Sequence, residues 1–298
     1  MTSPRASGFG NAFLAVDWGT TNRRVYRIEH GQVVATEHDS RGVTAVAADG
    51  FPAEVSDLRA RLGDLPMLLA GMVGSTIGWR DVAYVPVPAG IDTIAPGLGW
   101  IDERTAIVPG LALRDGPRAD VMRGEEIQLL GAIAAGMVPR DGLLCQPGTH
   151  CKWARVDGGI VVDFTTAMTG ELFALLRGNG LLSKQLGGTV TPGAAFREGV
   201  EAGKRRDLSA ALFGIRASKL LGRREDTDAA SYASGLLIGS DVAVRLENGA
   251  GDVHILSDPD LGGLYAIAVT ANGGRPHVVD SHAAFASGII ALAKALGD

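Results

Sequence analysis

Residues 13–28 read FLAVDWGTTNRRVYRI and decide the fold. A short apolar run opens this stretch, a glycine–threonine turn follows at 19–22, and a second apolar segment comes after the turn. A further turn at 29–31 leads into a third apolar segment at 32–35. Because turn-forming residues separate three short strand-like segments, we expect a β-meander here.

The same pattern returns in the second half of the chain. Residues 143–163 read LLCQPGTHCKWARVDGGIVVD, with a second glycine–threonine pair in the turn after the first strand. Element order, turn position and polarity agree between the two copies, with one residue of slippage in the second strand, and this favours two related lobes. Strands followed by helices, twice over, predict an α/β protein with a cleft between its lobes.

Helical patterns follow both meanders. One is predicted at 52–62, and a second at 122–136, where acidic residues favour the helix start and a glycine its end. We expect a first lobe over residues 1–139, a second lobe over 140–281, and a last helix within 282–298 that packs back on the first lobe. Further helical segments are predicted at 169–176, 194–203, 231–246 and from 261.

Composition narrows the class of protein. Of the 298 residues, 46% are hydrophobic and 20% charged, which allows a sizeable core, and a net charge of −5 does not favour nucleic-acid binding. No apolar run approaches a membrane span, and the polar start at 1–11, expected to be a frayed tail, does not resemble a signal peptide. Cys145 and Cys151 fit neither a disulfide framework nor a metal-binding pair. We expect both to be small buried side chains in a reducing compartment, and the protein to be cytoplasmic.

The two turns resemble the phosphate loops of the sugar kinase/Hsp70/actin superfamily. The resemblance implies an actin-like ATPase fold, with two ribonuclease-H-like lobes around a nucleotide cleft. ATP's phosphates are densely negative, and a turn of Gly and Thr offers N–H and hydroxyl donors at close range. Asp17, beside the first turn, is placed to hold Mg²⁺ through water. The nucleotide-binding candidates are Gly19, Thr20, Thr21, Asn22, Gly148, Thr149 and Lys152.

A third segment lies between the two turns. Residues 124–131 read GEEIQLLG, which is similar to the Gly-Asp-x-Gln helix start that carries the catalytic acid in carbohydrate kinases. Glu125 stands where that family has Asp, so the resemblance implies that Glu125 is the base, with Glu126 as its rival. A carboxylate there would take the proton of the acceptor hydroxyl during phosphoryl transfer. The alternative is that the pair only complements the helix dipole.

Longer phrases resemble the 2-dehydro-3-deoxygalactonokinase family. They are AGMVGS at 70–75, MRGEE at 122–126, QPGTHCKW at 146–153, MTGELF at 168–173 and SGLLIG at 234–239. The resemblance implies ATP- and Mg²⁺-dependent phosphorylation of 2-dehydro-3-deoxy-D-galactonate at its 6-hydroxyl, in D-galactonate catabolism. The family's glycine-bearing loop near the adenosine pocket is replaced around Ser257, which leaves nucleotide selectivity open.

Four residues are predicted to contact the sugar acid: Arg24, Ser75, Arg123 and Glu171. An arginine suits the substrate carboxylate, and Arg23 lies close enough in sequence to be considered as well. Each residue has a plainer alternative, namely a surface charge, turn chemistry or a helix-start acid.

Two other functions stay open at this stage. One is a kinase for a different ketodeoxy acid, for pantothenate or for a polyol. The other is a non-catalytic sugar- or nucleotide-binding regulator on the same scaffold. The sequence also leaves open the stereochemistry at the sugar's C4 and whether the protein is a homodimer.

Overall fold

The computed structural model describes residues 9–115, 117–247 and 251–297. Residues 1–8 of the expected frayed tail lie outside the described residues. The first half contains β1 (Ala12–Trp18), β2 (Arg23–Glu29), β3 (Gln32–Asp39), α1 (Phe51–Leu62), β4 (Met67–Gly71), β5 (Val85–Pro86), α2 (Ile91–Ile94), β6 (Gly99–Asp102), β7 (Thr105–Ile107), β8 (Leu111–Leu113), β9 (Asp120–Met122) and α3 (Glu125–Ala134). The second half contains β10 (Gly142–Gln146), β11 (Cys151–Asp157), β12 (Ile160–Ala167), α4 (Thr169–Gly178), α5 (Ala194–Gly203), α6 (Leu208–Leu220), α7 (Asp226–Arg245), β13 (Asp252–Ser257), α8 (Pro259–Ala271), β14 (Arg275–Asp280) and α9 (Ser281–Ala295).

The first sheet is built on the predicted meander. Its strand order is β3-β2-β1-β4-β7-β6. β1 pairs antiparallel with β2 and parallel with β4, and this register places Asp17 opposite Arg24 on one side and Ala70 on the other. Parallel pairing of β1 and β4 requires a crossover, which the segment containing α1 supplies.

The second sheet repeats the arrangement of the first. Its order is β12-β11-β10-β13-β14, with β10, β13 and β14 parallel. Three consecutive strands followed by two parallel crossover strands therefore occur twice in the chain. The expected fold class, an α/β protein with two ribonuclease-H-like halves, is confirmed.

Contacts divide the chain into two compact units. The first contains the residues up to Asp141, the segment Arg155–Phe164 and the residues from Ser281 onward, and the second contains Gly142–Ala154 and Thr165–Asp280. The predicted boundary near residue 139 follows the order of elements along the chain. That order does not show that Arg155–Phe164, a part of the second meander, groups with the first unit. Within the described residues, no helix has both the length and the apolarity needed to cross a membrane.

Each unit has its own apolar core. In the first, Leu14 and Val16 of β1 and Leu69 of β4 pack with α1 and are fully buried. In the second, the core includes Cys145 and Cys151, which are free, fully buried and separated by 3.6 Å between their sulfur atoms. The expectation that both thiols are small buried side chains is confirmed.

The last helix packs against α3 through paired glycines. A Cβ added at Gly131 would lie 2.0 Å from the carbonyl oxygen of Ala284, and one added at Gly288 would lie 2.0 Å from that of Ile127. Stacking of Tyr26 on Phe285, with 5.4 Å between ring centroids, extends the contact of α9 to the first sheet. The two helices therefore approach so closely that only glycine fits at the crossing.

Several predicted boundaries were wrong. The helix expected from residue 122 begins at Glu125, because Gly124 has a φ of +107° and residues 120–122 form β9 instead. Helix α6 was not predicted, because only Ile215 in it is fully buried and the helix shows no clear apolar face. The largely exposed edge strand β14 and the sheet β5-β8-β9 were not predicted either, since the strands of that sheet have only two or three residues and are too short to show a period.

Substituting Gly288 with alanine tests the helix contact. We expect Gly288→Ala to lower the free energy of unfolding by about 2 kcal/mol, because the new methyl group must push α9 away from α3. Gly214→Ala in α6 is the matched control, since nothing lies within 4 Å of its added Cβ. The control should be neutral or more stable by up to ~1 kcal/mol. Equal effects of the two substitutions in urea denaturation would contradict the close packing.

Candidate active site

The first glycine–threonine turn connects β1 to β2. The N–H of Gly19 donates to the carbonyl of Asn22 at 2.9 Å, and Thr20, Thr21 and Asn22 are exposed. Backbone N–H groups of residues 42–44 bond the carbonyls of Thr21, Gly19 and Thr20 at 3.1, 3.0 and 3.2 Å. The turn is thus fixed through its carbonyls, while its threonine and asparagine side chains face solvent.

Asp17 lies at the end of β1, directly before this turn. It is half-buried and opposite Arg24 in the sheet. The pKa of Asp17 is raised to about 6: burial raises it most, the positive charge of Arg24 lowers it, and the negative charge of Glu125 raises it. Asp17 and Glu125 therefore lie within electrostatic reach of each other, and their predicted roles stay predictions.

The two neighbouring arginines of β2 have different surroundings. Arg23 is 1% exposed, forms ion pairs with Asp39 at 2.7 Å and Glu54 at 2.8 Å, and lies over the ring of Trp18. Arg24 points the other way across the strand and contacts the ring of His282 at the start of α9, with 2.7 Å between Nη1 and Nε2. Arg23 is therefore a structural residue, whereas Arg24 is on the Asp17 side.

The start of α3 is held against the end of β4. Gly124 and Gly71 both have positive φ, at +107° and +93°, and a Cβ on Gly124 would lie 3.1 Å from the Cα of Gly71. Since Gly71 pairs with the last residue of β1, this contact brings Glu125 towards Asp17. The backbone N–H of Arg123 donates to Oε2 of Glu125 at 3.0 Å.

The two glutamates of α3 differ sharply in environment. Glu126 is 0% exposed and accepts a hydrogen bond from the N–H of Gly124 at 2.7 Å. Burial, and then the charge of Glu125, raise the pKa of Glu126 to about 8, although its hydrogen bonds and Arg123 act in the opposite direction. Glu125 is only half-buried. The two carboxyl groups therefore differ in burial and in pKa: Glu126 is enclosed with its pKa raised to about 8, whereas Glu125 is partly exposed.

Ser75 and Arg123 have local partners. The hydroxyl of Ser75 donates to the carbonyl of Met72 at 2.7 Å, so this side chain closes the turn after β4. Arg123 is 8% exposed and donates to the carbonyl of Val82 at 2.7 Å. The sequence predicts that Ser75 and Arg123 contact the sugar acid, and this stays a prediction.

The second turn, between β10 and β11, lies in the second unit. Gly148 and Thr149 are exposed, and the N–H of Glu171 donates to the carbonyl of Thr149 at 2.9 Å. The carboxylate of Glu171 lies 2.6 Å from Nε2 of His150. Lys152 is only 5% exposed, with its ammonium 2.9 Å from the hydroxyl of Thr166. Glu171 therefore lies beside the turn, whereas the ammonium of Lys152 is directed towards β12.

The loop around Ser257 begins a helix at once. The side chain of Asp258 accepts a hydrogen bond from the N–H of Leu261 at 3.0 Å and caps α8. Leu261 lines a small apolar cavity of about 90 Å³ in the second unit, together with Gly148, Phe173 and Leu237. Where the family's glycine-bearing loop is expected, this chain has the capped start of α8. The cavity beside it extends to Gly148 of the second turn.

Residues 17–292 match the 2-keto-3-deoxy-galactonokinase family, from Asp17 to within α9. The chain belongs to this family. The match confirms the resemblance seen in the sequence and covers both turns and the start of α3.

Individual relatives of the kinase family agree over nearly their whole length. A protein of Rhizobium meliloti (strain 1021), named as a probable 2-dehydro-3-deoxygalactonokinase, is 36% identical over 95% of this chain and 97% of its own. The 2-dehydro-3-deoxygalactonokinase of Escherichia coli (strain K12) is 33% identical over 96% and 99%. A crystal structure from Sinorhizobium meliloti, of a candidate 2-dehydro-3-deoxygalactonokinase, is 34% identical, covers 95% of this chain and 98% of that one, and has a TM-score of 0.88.

Three residues of this kinase-family site were missed from the sequence. A Cβ on Gly42 would lie 2.3 Å from the carbonyl oxygen of Thr20, and one on Gly170 would lie 2.4 Å from that of Gly148, so a glycine supports each turn from behind. Nothing in the sequence distinguishes Gly42, in a loop, and Gly170, in the first turn of α4, from the chain's other glycines. Asp241 accepts hydrogen bonds from Trp153 at 3.1 Å and Thr169 at 3.0 Å, behind the second turn. An acid within the buried, mostly apolar part of α7 could have revealed it.

Glu126→Gln tests the state of the buried carboxyl group. Since the raised pKa of Glu126 lies near 8, the folded protein holds a proton that the unfolded chain releases above pH ~4.5. Wild-type stability from this group therefore falls as pH rises from about 4 to 8, and glutamine removes that loss. We expect Glu126→Gln to be more stable by about 3 kcal/mol at pH 7 and equal to wild type at pH 4.

The exposed Glu103 provides the control for this substitution. Glu103→Gln should change the free energy of unfolding little at either pH. A stability difference for Glu126→Gln that is the same at pH 4 and pH 7 would show that the carboxyl group is ionised in the folded protein.

Proposed function

We propose that this chain transfers the γ-phosphoryl group of ATP to the 6-hydroxyl of 2-dehydro-3-deoxy-D-galactonate, in D-galactonate catabolism. Family membership and the names of its relatives support the reaction. The observation that carries the assignment of residues is the position of Glu125, half-buried at the start of α3 and within electrostatic reach of Asp17.

Glu125 is proposed as the general base. Its carboxylate would accept the proton of the acceptor hydroxyl while that oxygen attacks the γ-phosphorus. The backbone N–H of Arg123 holds one carboxylate oxygen and so orients the group. Phosphoryl transfer asks little covalent chemistry of the protein, so positioning and charge supply most of the rate.

Asp17 fits the Mg²⁺ that this reaction needs. Its pKa is raised chiefly by burial, which disfavours the charged carboxylate, and the nearby charge of Glu125 adds to this while Arg24 acts in the opposite direction. A divalent cation would favour the ionised carboxylate, and oxygen ligands suit Mg²⁺. The described residues contain no cluster of three or more metal-ligating side chains, so we propose that water and phosphate oxygens complete the coordination. Bound there, Mg²⁺ would neutralise charge on the phosphates.

Both turns are proposed to bind ATP phosphates. Each turn has carbonyls bonded from behind and exposed residues, namely Thr20, Thr21 and Asn22 in the first and Gly148 and Thr149 in the second, which offer donors to an anion. The apolar cavity beside Gly148 is the proposed adenosine pocket. Lys152 lies too deep for direct contact as it stands, and we propose that it acts through its charge near the second turn.

Arg24, Ser75 and Glu171 are the proposed contacts of the sugar acid. Arg24 is the half-buried cation on the side of Asp17, and a guanidinium matches a carboxylate. Ser75 keeps its oxygen as an acceptor while its proton bonds Met72, and Glu171 can accept from sugar hydroxyls. We place the reaction in the cytoplasm, where ATP and reduced thiols such as Cys145 and Cys151 are found.

A substrate panel tests the reaction. ADP formation would be measured with 2-dehydro-3-deoxy-D-galactonate, its C4 epimer, pantothenate and glycerol, and without an acceptor, and the product position would be found by ³¹P NMR. We expect the galactonate derivative to give the highest kcat/KM and a phosphate on C6. Turnover with only an unrelated alcohol would identify a different kinase, and ligand binding without turnover would identify a regulator.

Glu125→Gln tests the proposed base. Removal of the carboxylate should lower kcat by about 10³-fold, with the Kd for ATP within about threefold of wild type, because the side chain acts on the acceptor rather than the nucleotide. Glu126→Gln is the matched control and should keep kcat within about tenfold, since its carboxyl group is already protonated. Near-normal turnover by Glu125→Gln with loss in Glu126→Gln would reverse the assignment.

A further inference from the structure

Arg123 is a buried cation at the junction between β9 and α3. Its side chain is 8% exposed, Nη2 donates to the carbonyl of Val82 at 2.7 Å, and Cζ lies 4.2 Å from the centroid of the Tyr84 ring. Within the described residues, no carboxylate forms an ion pair with it, and Nε and Nη1 have no hydrogen-bond partner. This guanidinium is held by a carbonyl and an aromatic ring inside the protein, so Arg123 is not simply a surface charge.

The segment from Gly74 to Tyr84 wraps around this guanidinium. A Cβ on Gly74 would lie 2.8 Å from Nη1 of Arg123, so the guanidinium packs directly against this glycine. The N–H of Val82 donates to the carbonyl of Gly74 at 3.0 Å and closes the segment into a loop that carries Ser75. The loop therefore meets the guanidinium at its start and its end.

The same residue also contacts Glu125. The backbone N–H of Arg123 donates to Oε2 of Glu125, while its side chain holds the loop. One residue thus connects the acid at the start of α3 to the segment that carries Ser75. Any movement of the guanidinium would change both contacts.

Direct contact between Arg123 and a substrate carboxylate is not favoured. Nε and Nη1 of Arg123 are buried, and Nη2 donates to the carbonyl of Val82. An anion could reach these nitrogens only if Val82 or Tyr84 moved away. The guanidinium of Arg123 would also have to give up its cation–π contact with the Tyr84 ring.

We propose that Arg123 is a positioning residue, which fastens the loop Gly74–Tyr84 to the start of α3 and so fixes Glu125 relative to Ser75. The inference rests on the proposed kinase function, because Glu125 and Ser75 take their roles from it. The loop contact itself does not depend on which acceptor is phosphorylated.

Three variants test the contact. Arg123→Met keeps the length of the side chain and removes its charge and donors, and Tyr84→Leu removes the ring. Each should lower kcat by about 10- to 100-fold and leave the KM for ATP within threefold, because a displacement of about 1 Å is enough for such a loss. The double variant should lose no more than the worse single variant. Arg123→Lys should recover part of kcat through a bond to Val82.

Two controls separate positioning from other roles. Arg80→Met removes an exposed arginine of the same loop that bonds the carbonyl of Trp100, and it should leave kcat unchanged. The ratio of kcat/KM for the keto acid to that for its methyl ester should stay the same in Arg123→Met as in wild type. A collapse of this ratio would show that Arg123 reads the carboxylate and would overturn the proposal, as would additive losses in the double variant.

Hydrogen exchange tests the loop without any substrate. Amide protons of residues 74–84 should exchange faster in Arg123→Met and in Tyr84→Leu than in wild type and Arg80→Met. Unchanged protection in Arg123→Met would overturn the proposal even if the kinase assignment holds. If Arg123→Met exchanges faster than wild type, but wild type phosphorylates no compound of the substrate panel, the loop contact is supported and the proposed function fails.

Discussion

The contact between Gly71 and Gly124 is the constraint on which the first unit's site depends. Both residues have positive φ, and neither could carry a side chain at this approach. Because β4 pairs with β1, the contact sets the start of α3 beside the end of the strand that carries Asp17. The electrostatic coupling of Asp17 with Glu125 follows from this backbone arrangement.

Burial then assigns different states to chemically similar carboxylates. Glu126 is fully enclosed and keeps its proton at neutral pH, while Glu125, one residue earlier, is half-buried. A helix turns by about 100° per residue, so adjacent side chains face different surroundings. Desolvation opposes the charged form of Glu126 far more than its hydrogen bond to Gly124 favours it.

Both meanders and the position of Asp17 were predictable from the sequence, because turn residues and apolar segments alternate there and the pattern occurs twice. The start of α3 was not, since the acidic residues of MRGEE suit a helix and only the backbone conformation of Gly124 shows where it begins. Contacts between distant residues were also beyond sequence reasoning. Gly42, Gly170 and the loop around Arg123 matter through neighbours that are far away along the chain.

The pairing of α3 with α9 has a consequence for how the protein is made. On the ribosome, α3 emerges about 150 residues before α9, and until then the groove around Gly131 has no partner. Both segments of the second unit, Gly142–Ala154 and Thr165–Asp280, have been synthesised before α9 emerges. The helix bearing Glu125 therefore acquires this support only after α9 has been synthesised, which delays assembly of the first unit until then.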